Sequence, residues 1–423
     1  MSILVEQPRH TDGTRKDVYI ADSRIEAIGN VPEKQQASAD RTIDASNMLI
    51  APSFTNGHSH AAMTLMRGWA DDLPLETWLK EKIWPVEERL SPEDIYWGTR
   101  LACLEMIKSG TTHFNDMYWE FEQICEAVTD SGIRAHVSGV FIDQFDEEVA
   151  RDQIEQSKRN AELIENYPDR VRFALGPHAV YTVSPESLEW ASGYSRDQGV
   201  PMNIHLAETR QDVENCREEH GCSPVEYLDR HGGLHKQTVI AHGLWVTDDD
   251  IELIADRNAR VVYNPVANLK LASGLDFPYD TYREAGVPIM LGTDGVASNN
   301  NHDLFEEIKT AALLQKQVQD DPSALPAREA FELATKTPAE IFDLPIGRLA
   351  EGALADVMLL DLSHPSLSPV HDAYSLLTYA ASGGAVDTVI CNGEVIMEDR
   401  TVDGEEKVRD RAGEHAQKLV SSV

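Results

Sequence analysis

The chain has 423 residues, 42% of them hydrophobic, and carries 72 acidic against 37 basic side chains, a formal net charge of −35. This length exceeds what one hydrophobic core organises, so one large and one smaller domain are expected. No apolar run approaches the ~20 residues of a membrane span, and so acidic a chain argues against nucleic acid as a partner, because phosphate binding needs a basic face.

The acidic residues are spread along the whole chain, and arginine outnumbers lysine. Both features fit a protein kept soluble at high salt, where like-charge repulsion is screened. The start, Met1-Ser2-Ile3-Leu4-Val5, has no basic stretch and no long apolar run, so no secretory signal is expected. The cysteines, at 103, 125, 216, 222 and 391, form no Cys-x-x-Cys pair, and three of them sit among apolar residues. A reducing, cytoplasmic location is therefore expected.

In chain order, residues 1–50 read as short strands at 3–5, 17–20 and 24–28. The apolar run 48–54 reads as a buried strand closed by an Asn56-Gly57 turn, after which His58 and His60 point the same way. Strand-like runs then recur at 111–115, 135–142, 171–175, 200–206, 237–241, 260–263 and 287–291, which with the opening strand makes eight. Helical stretches lie between them, with starts marked by Ser91-Pro92-Glu93, Ser184-Pro185-Glu186 and Thr247-Asp248-Asp249.

This alternation predicts an α/β fold, a (β/α)8 TIM barrel over 52–346. The rival, a doubly wound sheet, would bring a glycine-rich phosphate loop after the first strand, where this chain has Gly57-His58-Ser59-His60. Further strand-like segments stand at 353–361 and 386–398, and within the latter 386–391 and 394–397 flank an Asn392-Gly393 hairpin signal. Residues 1–51 and 347–423 are thus expected to build one small β-sandwich domain from both chain ends, with 403–423 as a surface helix. His231, His235 and His371 have no supporting context and read as surface residues.

In such a barrel, functional groups stand at the C-terminal ends of strands. His58 and His60 end the first predicted strand, His205 closes another with Glu208 just after it, His242 closes the next, and Asp294 closes the last. Three imidazoles and a carboxylate drawn from these strand ends suit one zinc or ferrous ion with room for a water, whose pKa such an ion lowers to about 7. The predicted fourth strand carries no lysine to bridge a second metal, so one ion is expected.

With these residues in place, the chain resembles the amidohydrolase superfamily, and within it the methylthioadenosine/S-adenosylhomocysteine deaminases with their guanine-deaminase and triazine-hydrolase relatives. The likeness spans nearly the whole chain. It is carried by Asn56-Gly57-His58-Ser59-His60, by Gly110 to Tyr118, by His205-Leu206-Ala207-Glu208-Thr209, by Leu291-Gly292-Thr293-Asp294-Gly295 and by Gly347 to Asp361. The resemblance implies His58, His60, His205 and Asp294 as metal ligands and Glu208 as the acid/base.

It also implies Glu87, in Trp84-Pro85-Val86-Glu87, as the ribose-binding carboxylate, His178 as a substrate contact, and Arg151 at the substrate's distal end. A second arginine of that family has no counterpart in Ser138-Gly139-Val140, which favours a neutral 5′ substituent. The expected reaction is hydrolytic deamination of an adenine nucleoside by a homo-oligomer. Glu208 would protonate the ring nitrogen, Asp294 or Glu208 would take the water's proton, and His242 would orient the nucleophile or hold its developing charge. Alternatives are another heterocycle (guanine, cytosine, a triazine or a cyclic amide) or a non-catalytic scaffold, which the complete ligand set disfavours.

Overall fold

Ser53 divides what reads as one apolar strand into two that serve different sheets. In this computed structural model, which describes residues 1–73 and 75–421, Met48–Pro52 pairs antiparallel with Val357–Asp361. Phe54–His60 instead pairs parallel with Thr111–Tyr118. Ser53 donates its backbone N–H to Asp356 at the crossover. Asn56-Gly57 is accordingly no turn but the middle of a strand. A Cβ on Gly57 would stand 2.9 Å from the Leu291 carbonyl and the Met290 side chain, so glycine is required there for close strand approach.

The central sheet is parallel and runs from Ile289–Leu291 through Arg260–Tyr263, Thr238–His242, Met202–Leu206, Val171–Pro177, Arg134–Phe141 and Thr111–Tyr118 to Phe54–His60, ending on Asp294–Gly295. Its two end strands are separated in sequence only by Gly292 and Thr293. The sheet therefore curls back to its own beginning, giving a TIM-barrel-like α/β domain. The three helix starts read from the sequence begin where their capping residues stand. Ser91 and Thr247 form complete capping boxes and Ser184 accepts from the Ser187 N–H, each cap contributing ~1 kcal/mol.

Two four-stranded sheets hold the chain ends. One is ordered Arg24–Ile28, Val18–Ala21, Ser2–Glu6, Arg41–Asp44; the other Glu394–Met397, Val386–Cys391, Val357–Asp361, Met48–Pro52. They share one cluster of fully buried side chains that includes Ile3, Val5, Ile20, Ile50, Val357 and Ile390. The Asn392-Gly393 hairpin forms as read, with φ of 53° and 77° at the two turn residues. A buried ion pair joins barrel to hairpin: Arg134 donates to Asp356 at 2.9 and 3.1 Å and to Asn392 at 2.7 Å.

The C-terminal helix, Glu405–Ser421, is more than a surface element. Val408, Ala412, His415 and Leu419 form a buried stripe at helical spacing. His415 also meets Asp94 at 2.6 Å, on the barrel helix Pro92–Lys108. His235, read as a surface residue, is 7% exposed, because its segment tucks under the start of the Thr238–His242 strand. All five cysteines are free and buried. Among the described residues no helix is long and apolar enough to cross a membrane.

Candidate active site

Beneath the strand ends lies a polar floor. Asn115 and Asn203 exchange amide hydrogen bonds at 2.7 and 3.0 Å, Asn203 also donates to Ser138, and Asn115 to the Gly57 carbonyl. Above it, the ligand atoms of His58, His60, His205 and Asp294 lie within 4.8 Å of one another. Asp294 Oδ1 is 3.4 Å from His58 Nε2 and 3.2 Å from His60 Nε2. The other carboxylate oxygen accepts from Ser298 Oγ at 2.9 Å.

These positions are held from behind. His60 Nδ1 lies 2.6 Å from the Met117 carbonyl and His205 Nδ1 lies 3.0 Å from that of His178. A carbonyl only accepts, so both rings carry their proton on Nδ1 and present a bare Nε2. Those two bare nitrogens face each other at 3.3 Å, and His58 Nε2 is buried without a hydrogen-bond partner. Lone pairs so arranged repel unless a cation stands among them. A tetrahedral ion with bonds of about 2.1 Å has ligand atoms about 3.4 Å apart, close to the spacings seen here. The site therefore fits one divalent metal ion.

Burial works against charge on His60, but the hydrogen bond and charge of Asp294 outweigh it and lift its pKa to about 9. Burial pushes His58 down to about 4 and His205 well below the ordinary histidine value. Asp294 loses solvation too, yet the His58 and His60 rings beside it hold it well below the usual carboxylate range. His242 and Asp294 adopt left-handed backbone, φ 72° and 59°, which non-glycine residues hold only where the surroundings enforce it.

One cavity opens over these groups. Glu208, His242, His178 and Glu87 line it together with His60, His205 and Asp294. Glu208 is 12% exposed, and burial raises it to about 7; its Oε2 is 3.7 Å from His242 Nε2. Glu87 follows a single π-helical turn, Leu79–Ile83, which brings it over the cavity. It accepts from Tyr118 Oη at 2.6 Å, and burial raises its pKa. His178 is pushed down to about 3 by burial.

Arg151 is not brought to the site. It lies exposed on the helix Glu147–Leu163, whose buried stripe is Ala150, Ile154 and Ser157, and that stripe turns position 151 outward. Sequence reasoning also missed groups that the structure adds. Trp78, Leu79 and Trp84 supply an apolar wall, Tyr118 and Ser298 line the polar side, and Asn264 and Asn268 stand behind His242. The signal for the last two was an Asn-Pro directly after a barrel strand, with a second asparagine four residues on.

A model of the amidohydrolase family matches residues 49–396. The chain is 45% identical to 5′-deoxyadenosine deaminase of Methanoregula boonei, the alignment covering 97% of this chain and 93% of that protein. It is 43% identical to 5-methylthioadenosine/S-adenosylhomocysteine deaminase 1 of Archaeoglobus fulgidus, with 96% of each chain covered. Its fold superposes with a TM-score of 0.92 on an adenosine deaminase from Xanthomonas campestris with bound zinc, at 31% identity over 99% of this chain and 98% of that one. Since the matched span runs from before the first strand-end histidine to beyond the strand-end aspartate, the chain belongs to the amidohydrolase family.

Proposed function

We propose that this protein is a metal-dependent aminohydrolase that converts an adenine nucleoside of the adenosine, 5′-deoxyadenosine, 5′-methylthioadenosine or S-adenosylhomocysteine type to its inosine-type product and ammonia. The observation that carries this reading is the convergence of Glu208, His242, His178 and Glu87 on one cavity floored by His60, His205 and Asp294, with His58 grouped beside them. The deaminase activities after which the relatives are named support it. So does the zinc of the Xanthomonas protein, which favours zinc over ferrous iron here. His58, His60, His205 and Asp294 would hold a divalent ion, which would supply a water acidic enough to attack near neutral pH.

Glu208, protonated near neutrality because it is buried, delivers its proton to the ring nitrogen beside the attacked carbon. Asp294, or Glu208 once it has given its own proton to the ring, takes the proton of the attacking water. His242 faces the same space and orients the nucleophile or holds its developing charge. Glu87, with one oxygen already bonded to Tyr118, offers the other to the ribose hydroxyls. His178 contacts the substrate from the far wall.

Among the described residues no lysine or arginine lines the cavity, while Val140 and Ile142 do. This favours a neutral 5′ substituent over a phosphate or a free carboxylate. We also infer that residues 1–51 and 347–423 form a β-sandwich domain beside a (β/α)8 barrel of residues 52–346, and that the protein works as a cytoplasmic homo-oligomer in a high-salt cell. Ammonia release from adenosine, its 5′-modified forms, adenosine monophosphate, guanine and cytosine tests the activity. Turnover of guanine or cytosine without turnover of any adenine nucleoside would overturn it.

A further inference from the structure

His242 closes its strand against two asparagines from the next strand-to-helix connection. Asn264 follows the strand Arg260–Tyr263, and Asn268 lies one helical turn further on, in Pro265–Lys270. The turn is pinned. The Asn268 N–H donates to the Asn264 carbonyl at 3.0 Å, and the Val266 N–H donates to the buried carboxylate of Glu307 at 3.2 Å. Asn264, Asn268 and His242 are at most 2% exposed.

His242 Nδ1 is 2.9 Å from Asn268 Oδ1 and 3.4 Å from Asn264 Nδ2. The shorter contact is to an amide oxygen, which only accepts, so the proton of neutral His242 sits on Nδ1. Its Nε2 is then bare on the cavity side. The arrangement leaves Asn268 Nδ2 and Asn264 Oδ1 buried without partners. A leucine at 268 would fill the space without burying an unpaired amide nitrogen, so packing alone does not account for the amide.

We propose that Asn268 is a positioning residue that holds His242 as the Nδ1–H tautomer, so that its bare Nε2 accepts a hydrogen bond from the attacking water instead of donating one to oxygen charge as it develops. This rests on the deaminase reading and decides between the two roles open to His242. A bare Nε2 beside Glu208 also favours the protonated form of that carboxyl, the form that serves the ring nitrogen. The orienting logic is that of any catalytic imidazole whose far nitrogen is fixed by a buried acceptor.

The test uses zinc-loaded full-length enzyme labelled with 15N-histidine, with the His242 resonances identified by their loss in His242→Gln. The parent is expected to show a protonated Nδ1 and an unprotonated Nε2. Asn268→Leu is expected to release the Nε2–H tautomer and lower kcat about 10²-fold, with KM moved by less than about threefold. Asn268→Asp, still an acceptor at the same place, is expected to keep the parent tautomer and remain within about tenfold of parent kcat.

A parent proton on Nε2 would overturn the proposal. So would an Asn268→Leu enzyme that loses kcat with the tautomer unchanged, or an Asn268→Asp enzyme as impaired as Asn268→Leu at equal zinc content and melting temperature. If no nucleoside is turned over, the deaminase reading fails by itself, and the spectra still report the tautomer.

Discussion

His60 and His205 present bare Nε2 atoms to each other at 3.3 Å, because each ring's other nitrogen is committed to a backbone carbonyl. Two acceptors in this arrangement need something positive between them. Protein purified without chelator is therefore expected to hold about one divalent ion per chain, and stripping it is expected to lower the melting temperature, since the ion binds only the folded ligand set. Elemental analysis and thermal unfolding check this. Two ions per chain, or a His205→Ala variant at full occupancy, would refute the ligand set.

Glu208 and Glu87 share the cavity but are expected to fail differently. The proton from Glu208 moves in the transition state, so Glu208→Gln should lower kcat and kcat/KM together, by about 10² to 10⁴. Glu87 is assigned to the sugar, so Glu87→Gln should raise KM for nucleosides and matter less for a free base. Both variants should keep the metal. Equal damage to nucleoside and free-base turnover by Glu87→Gln would remove the ribose assignment.

Acid should destabilise the barrel through a buried histidine pair. His113 Nε2 lies 2.9 Å from His136 Nδ1. Burial pushes His136 down to about 3 and His113 well below the ordinary value. The unfolded histidines take up protons near pH 6.5 that the folded ones refuse, so stability falls as pH drops below that point. The slope is about 1.4 kcal/mol per pH unit for each histidine. Denaturant unfolding between pH 6.5 and 4.5 should show a shallower slope in His136→Gln. An unchanged slope would mean that this pair is not what acid attacks.

The net charge of −35 makes a separate claim. If it reflects a high-salt cell, molar potassium chloride should raise the melting temperature strongly over dilute buffer, by screening self-repulsion in the folded state. A melting temperature that does not move would leave only an ordinary acidic enzyme.

The strand-end groups His58, His60, His205, His242 and Asp294 were legible in the chain because a barrel puts chemistry at strand ends, and a strand end is a local pattern of apolar residues followed by a polar one; the family resemblance singled out four of them as ligands and added the role of Glu208. The helix starts at Ser91, Ser184 and Thr247 were legible for the same reason, since a cap acts within four residues. The split at Ser53 was not legible: Met48–Pro52 and Phe54–His60 form one apolar run until their partners, some 300 and 60 residues away, are known. Asn56-Gly57 likewise carries the composition of a turn, and only the approach of Leu291 to Gly57 shows why glycine stands there. The exposure of Arg151 was not legible either, because family position does not say which way a helix turns its face; the buried stripe of Ala150, Ile154 and Ser157 does. The pairing of His242 with Asn268, across 26 residues, existed only once two neighbouring strands lay side by side. Local periodicity determined which residues could do the chemistry. Closure of the sheet decided which of them meet, because that depends on contacts between segments far apart in sequence.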